Sequence, residues 1–426
     1  MTSLLPAGYR FETLDESRLR DLLTVDTWAF PSGEPIDDFP EEALGASWDR
    51  MTGIAVDGAD QGELAACFGA YSFGSCPVPG GTLPMGGLTW VGVHPQHRRR
   101  GILRGIIASH LADCAARGEM LSGLTAAEYP IYGRFGYGVA SDGLTLELPR
   151  RAELREVDGA DEHTVRIELF SFEKHAALAE ELHVRSGDGV GGLNRPGWVA
   201  REGERFQRAV WNDAPMFRRG KEARRIVIVE RDGEARGYAT FRRASEWKDG
   251  RPVGRVDVAY ATALDAAATR SLWSTLLDFD LTATISVSDL AADSPLVHLL
   301  VDRRAAVPKV TDGLWVRVVD VARALAGRRY QADVDVVLGL TDTLLPDNAA
   351  AWHLRAGAFE EAACTRTDAS PDLVLDAREL GAAYLGGTSL AGLAAAGLVT
   401  EHTPGALARA SAAFGWPIAP ALGCHF

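Results

Sequence analysis

No stretch limits what this chain can fold into as much as Thr89–Leu103. Thr89-Trp90-Val91-Gly92-Val93 reads as a buried strand, Pro95 stops it, and Gln96-His97-Arg98-Arg99-Arg100-Gly101 leads into a helix over about Arg100–Arg117. Leu103, Ile106, Ile107, Leu111 and Cys114 mark one apolar face of that helix, and Gly118 supplies its stop. The first amides of such a helix have no partner inside it and sit at the positive end of its dipole, so the turn can hold a diphosphate through its backbone. Arg98, Arg99 and Arg100 would add charge-assisted hydrogen bonds. A basic loop capping an ordinary helix has the same local pattern, so the turn alone leaves the function open.

The surroundings place this unit in a sheet. Strand-like runs at Leu64–Ser72, Gly87–Val93 and Leu121–Ala126 flank the helix in the order β-β-α-β. With 426 residues the chain exceeds one hydrophobic core and should divide into two or three domains. A second α/β stretch has strands at Arg225–Val229, Gly237–Arg242 and Gly254–Thr262, a helix over Asp265–Phe279 and a strand at Ala283–Val287, with a hairpin turn at Asp232-Gly233. Its order repeats the first, as a degenerate duplication would. Between its strand and helix stands Ala263-Leu264-Asp265-Ala266, which lacks the basic glycine turn and sets an acid where a diphosphate would lie. A third segment begins near Asp312, with strands at Leu314–Val319 and Asp333–Leu338 and Ala-rich helices after them. Phe414–Phe426 carries no Lys, Arg, Asp or Glu. Chain ends are ordinarily polar and loose, so this one should be docked against protein, carrying its α-carboxylate into a site.

Composition narrows the partners. A net charge of -14 disfavours nucleic acid and favours polycationic ligands. The five cysteines are scattered and odd in number, and the histidines form no ligand-spaced pair, so neither disulfides nor a metal is expected. The start, Met1-Thr2-Ser3-Leu4-Leu5-Pro6, does not resemble a leader, and no apolar run is long enough to span a bilayer. A cytoplasmic protein without a membrane span is expected. Gly187–Gly192 fits G-x-G-x-x-G, yet no clear strand precedes it, and it reads as a flexible loop rather than a dinucleotide site.

Val93, Pro95, Arg98 and Gly101 match the pattern V-x-P-x-x-[QR]-x-x-G-x-[GA], and here the sequence resembles the GNAT superfamily of acetyltransferases. Leu103 departs from the pattern, standing where Gly or Ala is usual. Downstream, Ile131-Tyr132-Gly133-Arg134-Phe135-Gly136-Tyr137 matches that superfamily's (F/I)-Y-x-x-x-G-(F/Y) segment. The runs HRRRGILR and EYPIYGRFGYG, the chain length and the aromatic end together resemble the enhanced intracellular survival (Eis) family of actinobacterial aminoglycoside N-acetyltransferases. Asp312–Arg317 looks like that family's entry to its third domain.

The resemblance implies an α/β (α+β) fold: a GNAT domain over residues 1–150, a degenerate GNAT-like domain over 151–310, and a sterol-carrier-protein-like domain over 311–426, assembled as a homohexamer. It implies acetyl-CoA as co-substrate, with Val91, Gly92 and Val93 pairing with the pantetheine arm. The diphosphate would fall to Arg98, Arg99, Arg100, Gly101, Ile102, Leu103 and Arg104, with Ala127 and Glu128 also at the cofactor. Tyr132 would be the general acid for the departing sulfur. The α-carboxylate of Phe426, a group with an ordinary pKa of about 3.5, would be the general base. His425 stands where an acidic residue would help bind polyamines. The substrates implied are primary amines of polycations such as aminoglycosides, or protein lysines. Acidic and aromatic residues of the N-terminal third attract cations, which makes Asp26, Trp28, Phe30, Trp48 and Trp90 candidates with Asp37 and Asp38; taken singly, each reads more readily as structural or solvated. The alternative is a lipid or acyl-CoA binding or sensing protein, with Leu385, Leu390 and Leu393 lining a cavity in the third domain.

Overall fold

The computed structural model describes residues 4–31, 35–58, 63–189 and 191–426; Met1–Ser3 and Val190 lie outside the described residues. The first part runs β1 (Tyr9–Thr13), α1 (Leu19–Ala29), β2 (Thr52–Val56), β3 (Leu64–Val78), β4 (Gly81–Val93), α2 (Ile102–Arg117), β5 (Leu121–Leu124) and β6 (Gly138–Val139). The second runs β7 (Asp142–Pro149), β8 (Thr164–Leu169), α3 (Phe172–Gly187), α4 (Glu204–Trp211), α5 (Pro215–Arg218), β9 (Arg225–Arg231), β10 (Glu234–Ala244), the short β11 (Trp247–Lys248) and β12 (Arg251–Pro252), β13 (Gly254–Ala263), α6 (Ala266–Leu277), β14 (Thr282–Ala291), α7 (Pro295–Leu299) and β15 (Lys309–Asp312). The third runs β16 (Trp315–Val318), α8 (Val321–Ala326), β17 (Val334–Thr341), β18 (Ala351–Ala356), β19 (Ala362–Thr367), β20 (Leu373–Asp376), α9 (Ala377–Ala383), α10 (Leu390–Ala395), β21 (Val399–Glu401) and α11 (Ala406–Phe414).

Local signals set the helices. α2 begins one residue after Gly101, whose φ of +90° is a left-handed conformation, and ends on Gly118 at φ +74°. β3 and β4 are longer than their apolar runs suggest. Phe73, Cys76, Val78, Leu83 and Met85 on their outer halves belong to a core cluster shared with Leu338, Leu354 and Tyr384 of the third part and with Val199 and Phe206 of the second. The hairpin is thus extended by burial from the other side.

The sheets do not follow the order of the chain. The first sheet is β1-β2-β3-β4-β5-β16-β6, the second β15-β7-β14-β13-β10-β9-β8, and the third β19-β18-β17-β20-β21. β7, which follows the first set of strands, lies in the second sheet. The run Leu314–Val319, expected to open the third domain, instead supplies β16 to the first sheet. There it pairs antiparallel with β5 from Trp315↔Leu124 to Val318↔Leu121 and with β6 on its other edge. All four residues of β16 are buried, which suits a central strand covered on both faces.

Arg317, in the middle of β16 and 1% exposed, donates from Nε to the Phe135 carbonyl at 3.1 Å, from Nη1 to the Val318 carbonyl at 2.9 Å and from Nη2 to Asp342 at 2.5 Å. Asp342 also accepts from the amides of Leu344 and Leu345. The buried pair is therefore hydrogen-bonded on both sides, the condition under which it is tolerated.

The third sheet's helix α9 seats on the first sheet through two glycines. A Cβ on Gly138 would lie 2.1 Å from the Arg378 carbonyl oxygen, and one on Gly381 2.2 Å from that of Val316. Leu385 and Leu390 are buried within the shared core and Leu393 packs against it, an ordinary core role. Replacing Gly381 with alanine is expected to destabilise the protein by about 1–3 kcal/mol, the range for an overpacked interior, read as a lower urea midpoint. An unchanged midpoint would mean that helix and sheet are not seated this closely.

Candidate active site

The first sheet opens into a fork. β4 and β5 run parallel but pair only at Met85↔Leu121, Gly86↔Ser122 and Gly87↔Gly123. Past Gly87, β4 stays paired to β3 through a bulge between Gly69↔Thr89 and Cys67↔Gly92, at which Trp90 takes a φ of +54°. Among the described residues no strand lies beside the β5-facing edge of Val91–Val93, so its peptide groups can pair with an extended ligand.

At the end of that arm, the amides of the α2 start follow the basic turn. Arg98, Arg99 and Arg100 are exposed, and among the described residues none of them, nor Arg104, has a carboxylate partner. Arg98 Nε donates to the Val93 carbonyl at 3.4 Å and Arg100 to the Tyr9 hydroxyl at 3.0 Å, while Tyr9 also contacts His97 Nδ1 at 2.9 Å. Nothing would crowd a Cβ on Gly101; its backbone angle is what requires glycine. Leu103 packs onto the core beneath the helix, which accounts for a large residue where the pattern has Gly or Ala. Free helix amides, uncompensated guanidinium groups and an open strand edge together fit a long, extended ligand that carries a diphosphate. Ala127 and Glu128 lie exposed on the loop after β5.

On that loop's far side stands Tyr132, 9% exposed, its ring edge-on to Tyr137 at 6.1 Å. Burial, with Glu128 nearby, pushes its hydroxyl up to about 12, so it holds its proton at neutral pH. Tyr137 is fixed from behind: its hydroxyl bonds to Ser122 Oγ at 2.7 Å, and Ser122 to His110 Nε2 at 2.8 Å.

The chain end arrives at the fork. Phe426 packs its ring against Phe73 at 4.8 Å and Tyr71 at 6.0 Å, and Tyr71 is in turn 4.6 Å from Phe206 of α4. A Cβ on Gly87, the last paired residue of β4, would come within 2.8 Å of the Phe426 ring. The Thr125 hydroxyl, one residue past β5, donates to a terminal oxygen of Phe426 at 3.4 Å.

A segment of the second domain holds this tail in place. The Ala421 amide donates to the Pro196 carbonyl at 3.0 Å, Arg195 to the Ala419 carbonyl at 2.7 Å, and Trp416 Nε1 to the Asn194 carbonyl at 2.9 Å. Asn194 is tied in turn to the β3–β4 hairpin through the Val78 and Gly81 carbonyls. His425 bonds to Asp289 at 2.9 Å, and that bond raises the imidazole above its ordinary pKa. Instead of standing free for an amine, it already has a carboxylate.

The remaining candidates divide. The end of α1 packs on β4: a Cβ on Gly92 would lie 3.3 Å from Ala29 and 3.8 Å from the Asp26 backbone. Burial raises the Asp26 carboxyl to about 6. Trp28 is 57% exposed and edge-on to His94 at 5.0 Å, Phe30 is 43% exposed, and Trp90 packs against Phe39. Trp48 packs against the same core cluster as Trp90, with the Arg205 guanidinium over its ring at 5.8 Å, so a cation already occupies its face. Asp37 pairs with Arg20. Thr125, Tyr71, Phe73, Phe206 and the Asn194–Val199 segment had no local signal beyond the turn-like Pro196-Gly197. Gly187 is the last residue of α3, so a helix and not a strand leads into the Gly187–Gly192 run, of which Val190 lies outside the described residues. Among the described residues no helix is long and apolar enough to cross a membrane.

A Cβ on Gly423 would lie 2.7 Å from the Val199 carbonyl oxygen. Gly423→Ala should therefore loosen the tail, and carboxypeptidase should release Phe426 faster from that variant than from the parent at equal thermal stability. Equal release rates would count against the seating described.

Family models for an acetyltransferase (GNAT) domain match residues 13–140 and 197–318, and one for a sterol carrier protein domain matches 321–423. The chain is 41% identical over 358 residues to an N-acetyltransferase of Streptomyces avermitilis, covering 83% of this chain and 85% of that one. It is 32% identical over 381 residues to N-acetyltransferase Eis of Mycobacterium tuberculosis, covering 85% and 86%. Eis1 from Mycobacterium abscessus superposes with a TM-score of 0.79 at 31% identity, over 98% of this chain and all of that one. Two GNAT domains followed by a sterol-carrier-like domain, and full-length relatives at this identity, make the chain a member of the Eis family of GNAT N-acetyltransferases.

Proposed function

We propose that this acetyltransferase acts on primary amines, with Tyr132 as general acid and the α-carboxylate of Phe426 as general base. The observation that carries the reading is the position of the chain end, at the fork of β4 and β5 and beside Thr125. Val91–Val93 would align the acetyl-CoA arm along the open edge of β4. Arg98–Arg104 would hold its diphosphate, with Ala127 and Glu128 beside the arm. When bound, acetyl-CoA supplies an activated thioester acyl group.

The chain's own groups then handle protons. The Phe426 carboxylate accepts one from the incoming ammonium, freeing the nitrogen lone pair for attack. As the C–N bond forms and the C–S bond breaks, Tyr132, kept protonated by burial, donates a proton to the departing sulfur, and the second proton shed by the nitrogen restores the phenol. Asp26, with the aromatic faces of Trp28, Phe30 and Trp90, draws the cation to the β4 side. A net charge of -14 steers polycations such as aminoglycosides or lysine-rich segments towards the enzyme. The His425–Asp289 bond removes one carboxylate that a second ammonium would otherwise meet.

A single glycine added after Phe426 displaces the carboxylate by up to about 3.5 Å. That variant should lose roughly 10²- to 10⁴-fold in kcat, the worth of a positioned proton acceptor, while CoA binding by calorimetry is retained. Tyr132→Phe should lose a similar factor, again without loss of CoA affinity. Parent-like kcat in the extended protein would rule out the terminal base.

The Asp26 carboxyl titrates near 6 and is charged above that pH and neutral below it. For a permanently cationic amine series, kcat/KM should therefore fall as pH drops through about 6, and Asp26→Asn should remove that limb. A limb that persists in Asp26→Asn would assign it to another group.

A further inference from the structure

The second GNAT domain keeps the fork of the first but reverses its chemistry. β13 and β14 pair in parallel from Gly254↔Thr282 to Val258↔Val287 and no further. β13 also has a bulge in the corresponding place, at Ala259, between Phe241↔Val258 and Thr240↔Tyr260. Beyond it the strands part around a cavity of about 650 Å³, within the range of small-molecule sites.

The outer end of the cavity is closed to a diphosphate. Asp265 caps α6 where the first domain has Gly101, accepting from the Ala268 amide at 2.7 Å and pairing with Arg236 at 2.8 Å. The inner end is cationic. Arg201 and Arg224, 1% and 7% exposed, both lie against the Trp211 ring, at 4.9 and 5.4 Å, and Arg201 is also 4.6 Å from the Tyr260 ring. Arg201 has a carboxylate, Glu180, at 3.2 Å.

Arg224 differs. Its guanidinium donates only to the carbonyls of Val210 and Asn212, at 3.1 and 3.2 Å, and among the described residues it has no carboxylate partner. Burial, with Arg242 and Arg201 nearby, holds it down to about 10 against the opposing pull of Tyr260 and Asp213; Asp213 accepts from the Arg224 backbone amide and forms its ion pairs with Arg218 and Arg242. Within the same stacked group, Nε of Arg201, Nε of Arg224 and the indole N–H of Trp211 have no hydrogen-bond partner. Buried donors are almost always paired, and a buried cation is costly until it meets an anion.

We propose that this cleft is a binding site for an amphipathic monocarboxylate, with its carboxylate on Arg224 and its apolar body between β13 and β14. Leu272, Trp273, Leu290 and Leu422 supply the apolar wall. One negative charge answers the one guanidinium of this stacked pair that, among the described residues, has no carboxylate at ion-pair distance. A polyanion would meet Asp265 and Asp289 at the walls and the protein's overall negative charge outside. A polycation would meet the two arginines, so the cleft is not a second place for the acceptor. Because Leu422 and Cys424 line the same cavity, an occupant would also brace the tail that ends on Phe426. Any effect on turnover rests on the reading of Phe426 as the base, but the binding does not.

The test is calorimetric titration of the full-length protein with benzoate, phenylacetate and octanoate, their neutral amides, and inorganic phosphate. At least one acid should bind about tenfold or more tighter than its amide. Arg224→Gln should reduce that acid to the affinity of the amide, and Ala261→Phe, which puts a ring into the cleft from β13, should abolish binding of both. Saturation with the acid should slow carboxypeptidase release of Phe426 from the parent. The proposal is overturned if no acid binds, if the amide or phosphate binds as tightly as the acid, or if binding survives Ala261→Phe. Loss of turnover in the glycine-extended enzyme bears only on the terminal base, so the two ideas fail separately.

Discussion

The insertion of β16 between β5 and β6 is the constraint on which the site depends. β5 is four residues long and shares only three pairs with β4. Its other edge is paired along its whole length by β16, so β5 is held by a strand from far along the chain while its end is left free to diverge. The insertion also sets the third domain in place, because α8 follows β16 directly. Arg317 locks the arrangement from within the strand. Breaking a buried, hydrogen-bonded pair such as Arg317–Asp342 leaves a charge in the interior, typically at 3–5 kcal/mol. That penalty makes the alternative registers of so short a strand inaccessible.

With the third domain fixed there, the chain terminus is held as closely as an internal side chain. A free end would sample many conformations, and a group acting on a reacting atom must be held close to one. Here Asn194–Val199 supplies the restraint: three hydrogen bonds along the tail and two glycines, Gly197 and Gly423, at which the backbones nearly touch. The second domain thereby takes part in the site of the first. Its Phe206 completes the aromatic wall around the Phe426 ring, and its Asp289 fixes His425.

Local and periodic features were legible in the sequence. The apolar face of α2, its two glycine boundaries and the docking of an uncharged tail follow from residues close together in the chain. Strand membership was not. Leu314–Val319 is visibly a strand, but nothing in its residues says which sheet has an empty slot, since pairing is decided between segments nearly two hundred residues apart. Asn194-Arg195-Pro196 reads as a loop and is one; its role as a rail exists only because the tail lies beside it. Trp48 fails as a free aromatic for a similar reason, its face being taken by Arg205 from the second domain.

The two forks show how few residues need to change for the charge inside a duplicated fold to be reversed. Both domains part their parallel strands after a few pairs, and both place a bulge on the first arm, at Trp90 and at Ala259. In the first, glycine at the helix start leaves the amides open to an anion and the arginines stand outside, in water. In the second, an aspartate caps those amides with its own carboxylate, so an external anion gains nothing there. The arginines lie instead at the opposite end, buried against Trp211. The charge has moved from the mouth of the fork to its floor. A ligand with its negative group at one end of an apolar body answers that reversal, whereas one carrying a diphosphate in mid-chain does not.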